Sequence, residues 1–308
     1  LKERIAVKTS YQGTSYELVS YRYGDASLPT VVLLNGSLFH QGQWALFRST
    51  GLSTLLRGKC AFVTFDFGGT GESSGQGIPW HIDRLGLETK AVVETVARAP
   101  VHLFGVSKGT IASQSFCAGN PQLVKSHAGY GWFHLGYSKI DFVRSFFEKR
   151  LKSFAFLERY SYTPLTRKDF NEIWRTTYRE VLGGTTHSNP LIAAAVTAII
   201  KPLVFKIARP TSLRTMYDWF QYGVEAMHEG QEWFAQRQVA LSQVPTLVMH
   251  ARRDGTLPYG MAEELSVALA HSSLLTYEGG FNHVSPLVMP FQARTIAKDY
   301  VSFLEKHL

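Results

Sequence analysis

Residues 101–120 constrain this chain more than any other stretch. Val101, Leu103, Phe104 and Val106 make a short apolar run with the length and β-branched character of a buried strand, and the small residues after Gly109 suit a helix ending near Gly119 and Pro121. Between them lies Gly105-Val106-Ser107-Lys108-Gly109, a G-x-S-x-G turn whose glycines allow backbone segments to approach closely. Such an elbow from strand to helix presents the Ser107 hydroxyl above a sheet edge. The helix N-terminus behind it offers unpaired N–H groups and partial positive charge, suited to an oxyanion forming beside Ser107. The pentapeptide also arises by chance in ordinary turns; the flanking strand and helix give it weight.

The rest of the chain repeats the same alternation. Residues 3–9 and 14–23 read as two strands joined at Gln12-Gly13, and residues 24–29 as turn. Thr30 to Leu34 and Ala61 to Phe65 read as buried strands, with helices over Trp44 to Leu56 and Ile82 to Ala97. Leu123 to Ala128 is a further strand. Strands then resume at Pro245 to His250 and Ser273 to Tyr277, with Met261, Leu265, Ala268 and Leu269 on one helix face and Ile296, Tyr300, Phe303 and Leu304 on another. Buried strands alternating with helices predict a mostly parallel sheet covered on both faces. From about Phe133 to Gln238 the pattern breaks into a helical, aromatic and basic stretch, read as an inserted cap. The expected organisation is therefore core over 1–132, cap over 133–238 and core again over 239–308.

Composition narrows the function. Two cysteines, Cys60 and Cys117, each in an apolar element, exclude a disulfide framework and read as core residues of a reducing, cytoplasmic setting. No stretch reaches the roughly 18 uninterrupted apolar residues of a bilayer span, and Leu-Lys-Glu-Arg at the start lacks a signal-like core; an opening on Leu1 leaves a removed targeting segment open. The formal charge of +8 comes from scattered bases mixed with acids, so a solvated surface is expected rather than a nucleic-acid interface. No closely spaced His/Cys/carboxylate set suggests a metal, and no cofactor is called for.

A serine hydroxyl is a poor nucleophile at neutral pH, so Ser107 needs a base and an acid that orients it. In a parallel sheet these come from loops at the same strand ends. Asp254 follows the strand ending at His250, and His283 follows the last strand in Gly279-Gly280-Phe281-Asn282-His283. Asp254 could be a turn residue, yet it is the favoured acid, because Asp141 lies too far into the cap to compete. His102, His250, His271 and His307 read as packing or surface residues, and Asp66 as a residue that fixes its loop.

At these positions the chain resembles the α/β-hydrolase superfamily, from about Thr30 to the C-terminus. Asn35-Gly36-Ser37 stands where those proteins usually carry His-Gly-x, and Asp66 to Ser73 resembles their D-x-x-G-x-G-x-S loop. The resemblance implies an α/β-hydrolase fold with a helical cap, Ser107 as nucleophile, His283 as general base then acid, and Asp254 holding the imidazole. It further implies an oxyanion hole from the backbone N–H groups of Ser37 and Lys108. Ala251, Asn282 and Val288 depart from the usual pattern without removing a reacting group.

The expected activity is hydrolysis of a carboxylic ester with a hydrophobic part, through an acyl-enzyme. Leu38, Trp132 and Phe133 are the candidate substrate contacts. Leu191 to Ile200 reads as a buried cap helix, or as a roof over an acyl cavity. Lys108 either points into the pocket, toward an anionic substrate group, or aside into solvent. Val31 to Leu38 also resembles the hydroxyacyl-carrier-protein acyltransferases of rhamnolipid and polyhydroxyalkanoate biosynthesis. That likeness implies action on acyl thioesters or transfer from an acidic acyl carrier protein, which suits a basic surface. A receptor that keeps the three residues but turns over negligibly is the alternative from another class.

Overall fold

The computed structural model describes residues 2–37, 39–174, 198 and 201–308. Its sheet is built from β1 (Lys2–Tyr11), β2 (Thr14–Tyr23), β3 (Thr30–Leu34), β4 (Ala61–Phe65), β5 (Val101–Val106), β6 (Val124–Tyr130), β7 (Thr246–Ala251) and β8 (Ser272–Tyr277). The order across it is β1-β2-β4-β3-β5-β6-β7-β8. β1 and β2 form an antiparallel hairpin whose turn residues Gln12 and Gly13 both have positive φ, which matches the twist of the paired strands. β2 is antiparallel to β4, and every pairing from β4 to β8 is parallel. β3, β4, β5 and β7 are buried along their whole length, as their unbroken apolar runs require of strands covered on both faces.

The covering helices are α1 (Ile82–Val96), α2 (Lys108–Gly119), α5 (Gly260–Ala268) and α6 (Pro290–Leu304), with α3 (Ile140–Ser153) and α4 (Leu213–Leu241) between β6 and β7. α2 is buried without a break from Lys108 to Cys117. α6 turns Ile296, Ala297, Tyr300 and Leu304 inward, and the Tyr300 ring lies 4.8 Å from that of Phe104 at the sheet centre. The segment between β6 and β7 is joined by rings, with Phe220 at 6.1 Å from Phe147 and 5.1 Å from Phe154. It is also tied to the sheet layer, because Thr215 Oγ1 donates to Gly69 O and Trp233 Nε1 to Asp83 Oδ1.

Three boundaries differ from expectation. A single helix over Trp44 to Leu56 is replaced by a run of short 3-10, α and π turns. The Ser49 and Thr50 hydroxyls bond back to Leu46 O, and Gly51 sits so close to Ala297 that no side chain would fit. β6 runs on to Tyr130 rather than stopping at Ala128, because Ser107 N donates to Tyr130 O and extends the edge. α4 continues to Leu241, three residues beyond Gln238. The Leu191 to Ile200 run, apart from Ala198, lies outside the described residues. Among the described residues no helix is long and apolar enough to cross a membrane.

Candidate active site

β5 and α2 meet at Ser107 with no intervening loop, and Ser107 takes φ 54° and ψ −117°. Among the described residues only Gln12 shares positive φ without being glycine. That costly conformation is held by what surrounds it. Ser107 O accepts from both Thr110 N and Thr110 Oγ1, and the glycines on either side leave no room for alternatives. A Cβ on Gly105 would lie 2.5 Å from Gly109 O, and one on Gly109 would run into Leu34 O. The G-x-S-x-G spacing is thus a packing requirement of the turn. As the first helical residue, Lys108 has an N–H with no acceptor one turn back, free to meet an anion.

The loops after β7 and β8 bring two further groups together. His283 Nδ1 lies 2.8 Å from Asp254 Oδ2, both nearly inaccessible to solvent. Asp254 Oδ1 accepts the Thr256 and Leu257 N–H groups at 2.8 and 2.9 Å. Burial alone would push this carboxyl up. The His283 and His250 imidazoles and the Leu257 N–H outweigh it and hold the group below the usual carboxylate range. With the carboxylate on Nδ1–H, the other imidazole nitrogen is left to accept a proton. The histidine loop is fixed by Asn282, whose N–H donates to Ser285 Oγ and whose carbonyl accepts from Tyr130 OH. Gly131, at φ 64°, packs against the pair so tightly that a Cβ would sit 2.9 Å from His283 Nδ1.

His250 is a residue the sequence reading undervalued. It is buried, its Nδ1 accepts Trp132 N–H at 3.1 Å, and its Nε2 therefore carries the proton. That Nε2 lies 3.2 Å from Leu257 O and 3.5 Å from Asp254 Oδ2, the same oxygen that His283 Nδ1 meets. Burial drives its pKa down, so it stays a neutral donor. Its place four residues before Asp254, on a strand end, was the available signal.

The loop after β3 carries Gly36 and Ser37 to the same place. It is braced by Asn35, which is inaccessible: Nδ2 donates to Phe65 O at 2.7 Å, and Oδ1 accepts from Trp44 Nε1 and Gln43 Nε2. Asp66 beside it accepts backbone N–H groups from Gln41 and Glu72, the loop-fixing role expected of it. Burial pushes its pKa up to about 7 against those bonds and the pull of Lys108. Asn35→Asp would put a second carboxylate within 3.4 Å of it and remove the donor to Phe65 O. Both carboxyls would hold protons in the folded state that the unfolded chain releases, so stability should fall as pH rises. The expected cost is roughly 2–4 kcal/mol at pH 8, shrinking toward pH 5, read from urea unfolding at both values.

Ser37, Ser107 and His283 line one narrow cavity of ≈ 50 Å³. Its remaining walls are mostly apolar and include Phe133, Phe147, Trp219, Phe220, Leu257 and Leu287. The structure places Phe133 in this lining, but not Trp132. Trp132 is fully buried behind it, Nε1 donating to Gly129 O, its backbone N–H to His250 Nδ1, and its ring 4.7 Å from His127. Leu38 lies outside the described residues. The Lys108 side chain points neither into this cavity nor into solvent; it is buried beneath the cavity wall. Among the described residues no three His, Cys, Asp or Glu side chains group as a metal site would require.

No protein-family model matches the chain, and no curated protein matches it by sequence. Solved structures do match in shape. A thermophilic esterase from Thermogutta terrifontis, malate bound, superposes with a TM-score of 0.71 at 14% identity, over 99% of this chain and 100% of that one. An enol-lactonase from Burkholderia xenovorans gives 0.67 at 15%, over 97% and 99%. A bromoperoxidase from Bacillus anthracis gives 0.65 at 16%, over 98% and 100%. With the strand order and the elbow, these likenesses show that the chain has the α/β-hydrolase fold.

Proposed function

We propose that this chain is a serine hydrolase that cleaves a carboxylic ester with a hydrophobic moiety through an acyl-enzyme. One observation carries the reading: a serine held at positive φ on a strand-to-helix elbow and a carboxylate-held histidine open onto the same apolar cavity. Neither half is informative alone, since buried His–Asp pairs are common and strained serines occur in ordinary turns.

In this mechanism His283 Nε2 takes the proton as Ser107 Oγ attacks the ester carbonyl. Asp254 keeps the other ring proton in place and stabilises the imidazolium. The oxyanion meets the N–H groups of Ser37 and Lys108, the second at the positive end of α2. His283 then returns the proton to the departing alkoxide, and water repeats the cycle on the acyl-enzyme. The insertion between β6 and β7 acts as the cap, since Phe147, Trp219 and Phe220 from it close the acyl side of the cavity. The supporting likenesses include an esterase, a putative lipase from Acinetobacter baumannii and the enol-lactonase, all acyl-transfer names.

The test is intact-mass analysis after treatment with a serine-directed phosphonate, on wild type and Ser107→Ala. Wild type should gain one adduct and the variant none; equal labelling removes Ser107 from the reaction. Acyl thioesters present the same carbonyl to the same groups, so a parallel panel of simple esters and acyl thioesters sets the leaving group.

A further inference from the structure

Lys108 follows the proposed nucleophile, and its side chain takes an unusual course. It is 2% exposed, and its Nζ lies 4.3 Å from the ring centre of Trp80, 4.6 Å from Phe67 and 5.3 Å from Trp219. Among the described residues no hydrogen-bond or ion-pair partner is found for this ammonium. A lysine with three donors and no acceptor, enclosed by three aromatic faces, occupies the kind of cage that elsewhere binds a ligand's ammonium group. Here the protein fills the cage itself.

The three rings come from different layers. Phe67 and Trp80 belong to the loops that flank β4 and α1, whereas Trp219 belongs to α4. Trp219 is also a wall of the cavity that holds Ser107, and it meets Trp80 edge to face at 5.8 Å. We infer that Lys108 is a positioning residue of the acyl cavity: its ammonium binds Trp219 to the core rings and so fixes the wall that limits acyl size beside Ser107. Only the consequence for substrate rests on the serine-hydrolase reading; the contact between ammonium and rings does not.

The contact depends on charge, because the neutral amine is not attracted to the ring faces. The charged groups acting on Nζ are Glu88 and Arg84 of α1 and Asp66 after β4, and no charge from α4 acts on it. Burial drives the pKa down to about 7, with Glu88 and Asp66 pulling it up and Arg84 pushing it further down. The attraction on Trp219 is therefore full below neutrality and fades above it, while the ring keeps its packing on Trp80 and Tyr222.

Two readouts test this. The fluorescence difference between wild type and Trp219→Phe should titrate with a midpoint near neutrality, and the corresponding difference measured in a Lys108→Met background should be flat. A flat wild-type difference between about pH 5.5 and 9, or the same titration without Lys108, overturns the inference. This arm needs no turnover, so a chain without ester activity still decides the contact; Lys108→Arg, which stays charged across this range, is the second variant whose difference should be flat, so a titration that Asp66 alone causes is told apart even where Lys108→Met does not fold. Second, Lys108→Met should raise kcat/KM for a long-chain p-nitrophenyl ester relative to a short one by up to roughly thirtyfold, the worth of a desolvated cation–π contact. The oxyanion N–H of residue 108 serves every acyl group alike and cancels from that ratio, so an unchanged ratio overturns the link to acyl size.

Discussion

His283→Ala should lower turnover of an activated ester by about 10⁴- to 10⁶-fold while moving the unfolding midpoint little. The activity loss follows from the geometry around Asp254. The His283 imidazole is the group that joins the buried carboxylate to the cavity containing Ser107, at 2.8 Å from Asp254 Oδ2. Without it Ser107 has no acceptor for its proton and reverts to an ordinary alcohol. The stability change is small because Asp254 keeps its bonds to the Thr256 and Leu257 N–H groups and its neighbour His250. The lost side chain contributes one hydrogen bond to a carboxylate, worth about 1.5–3 kcal/mol. Steady-state kinetics and a thermal melt on the same preparation check both halves. Near-normal turnover would show that another group takes the proton; a large fall in the melt would make the activity loss uninformative.

How much of this could be read from the sequence depended on whether a residue's role is set locally. The elbow could be: apolar run, G-x-S-x-G and helix occupy Val101–Val106, Ser107 and Lys108–Gly119 in the structure as expected. Asp254 and His283 could be singled out as candidates because parallel strands deliver their C-terminal loops to one edge, so position after a strand stands in for position in space. Trp132 and Phe133 show the limit. Which of two adjacent aromatics faces the cavity is set by bonds to residues far away in sequence, Trp132 N donating to His250 Nδ1 and Phe133 N to Thr110 Oγ1. Lys108 was illegible for a similar reason. Its cage draws on residues 67, 80 and 219, three separate stretches with no shared period. His250 looked like strand packing because what makes it a partner of Asp254 is the tautomer set by Trp132 N–H, a contact 118 residues away in sequence.

Gly109→Ala should be severely destabilising, and Gly119→Ala, ten residues along the same helix, should be harmless. Propensity argues for both changes, since alanine outranks glycine in a helix by up to about 1 kcal/mol. Packing separates them. A Cβ on Gly109 would fall inside contact distance of Leu34 O and 3.1 Å from Asn35 O, and both atoms are backbone. β3 is paired to β4 on one side and β5 on the other, so the carbonyl cannot retreat without breaking a ladder. The methyl must instead lift α2 away from the sheet, and α2 is buried along ten consecutive residues. Overpacking of this severity lies at or above the upper end of the usual range, roughly 3–5 kcal/mol. At Gly119 a Cβ meets nothing within 4 Å, so only the propensity gain remains, a few tenths of a kcal/mol at a helix end. Chemical denaturation of the two variants beside wild type measures the difference. Because the same close approach sets the angle at which Ser107 leaves β5, any Gly109→Ala protein that does fold should also lose phosphonate labelling, whereas Gly119→Ala should label as wild type does. Equal stabilities for the two variants would mean that β3 can yield, and the rigid elbow on which the mechanism relies would then not be rigid.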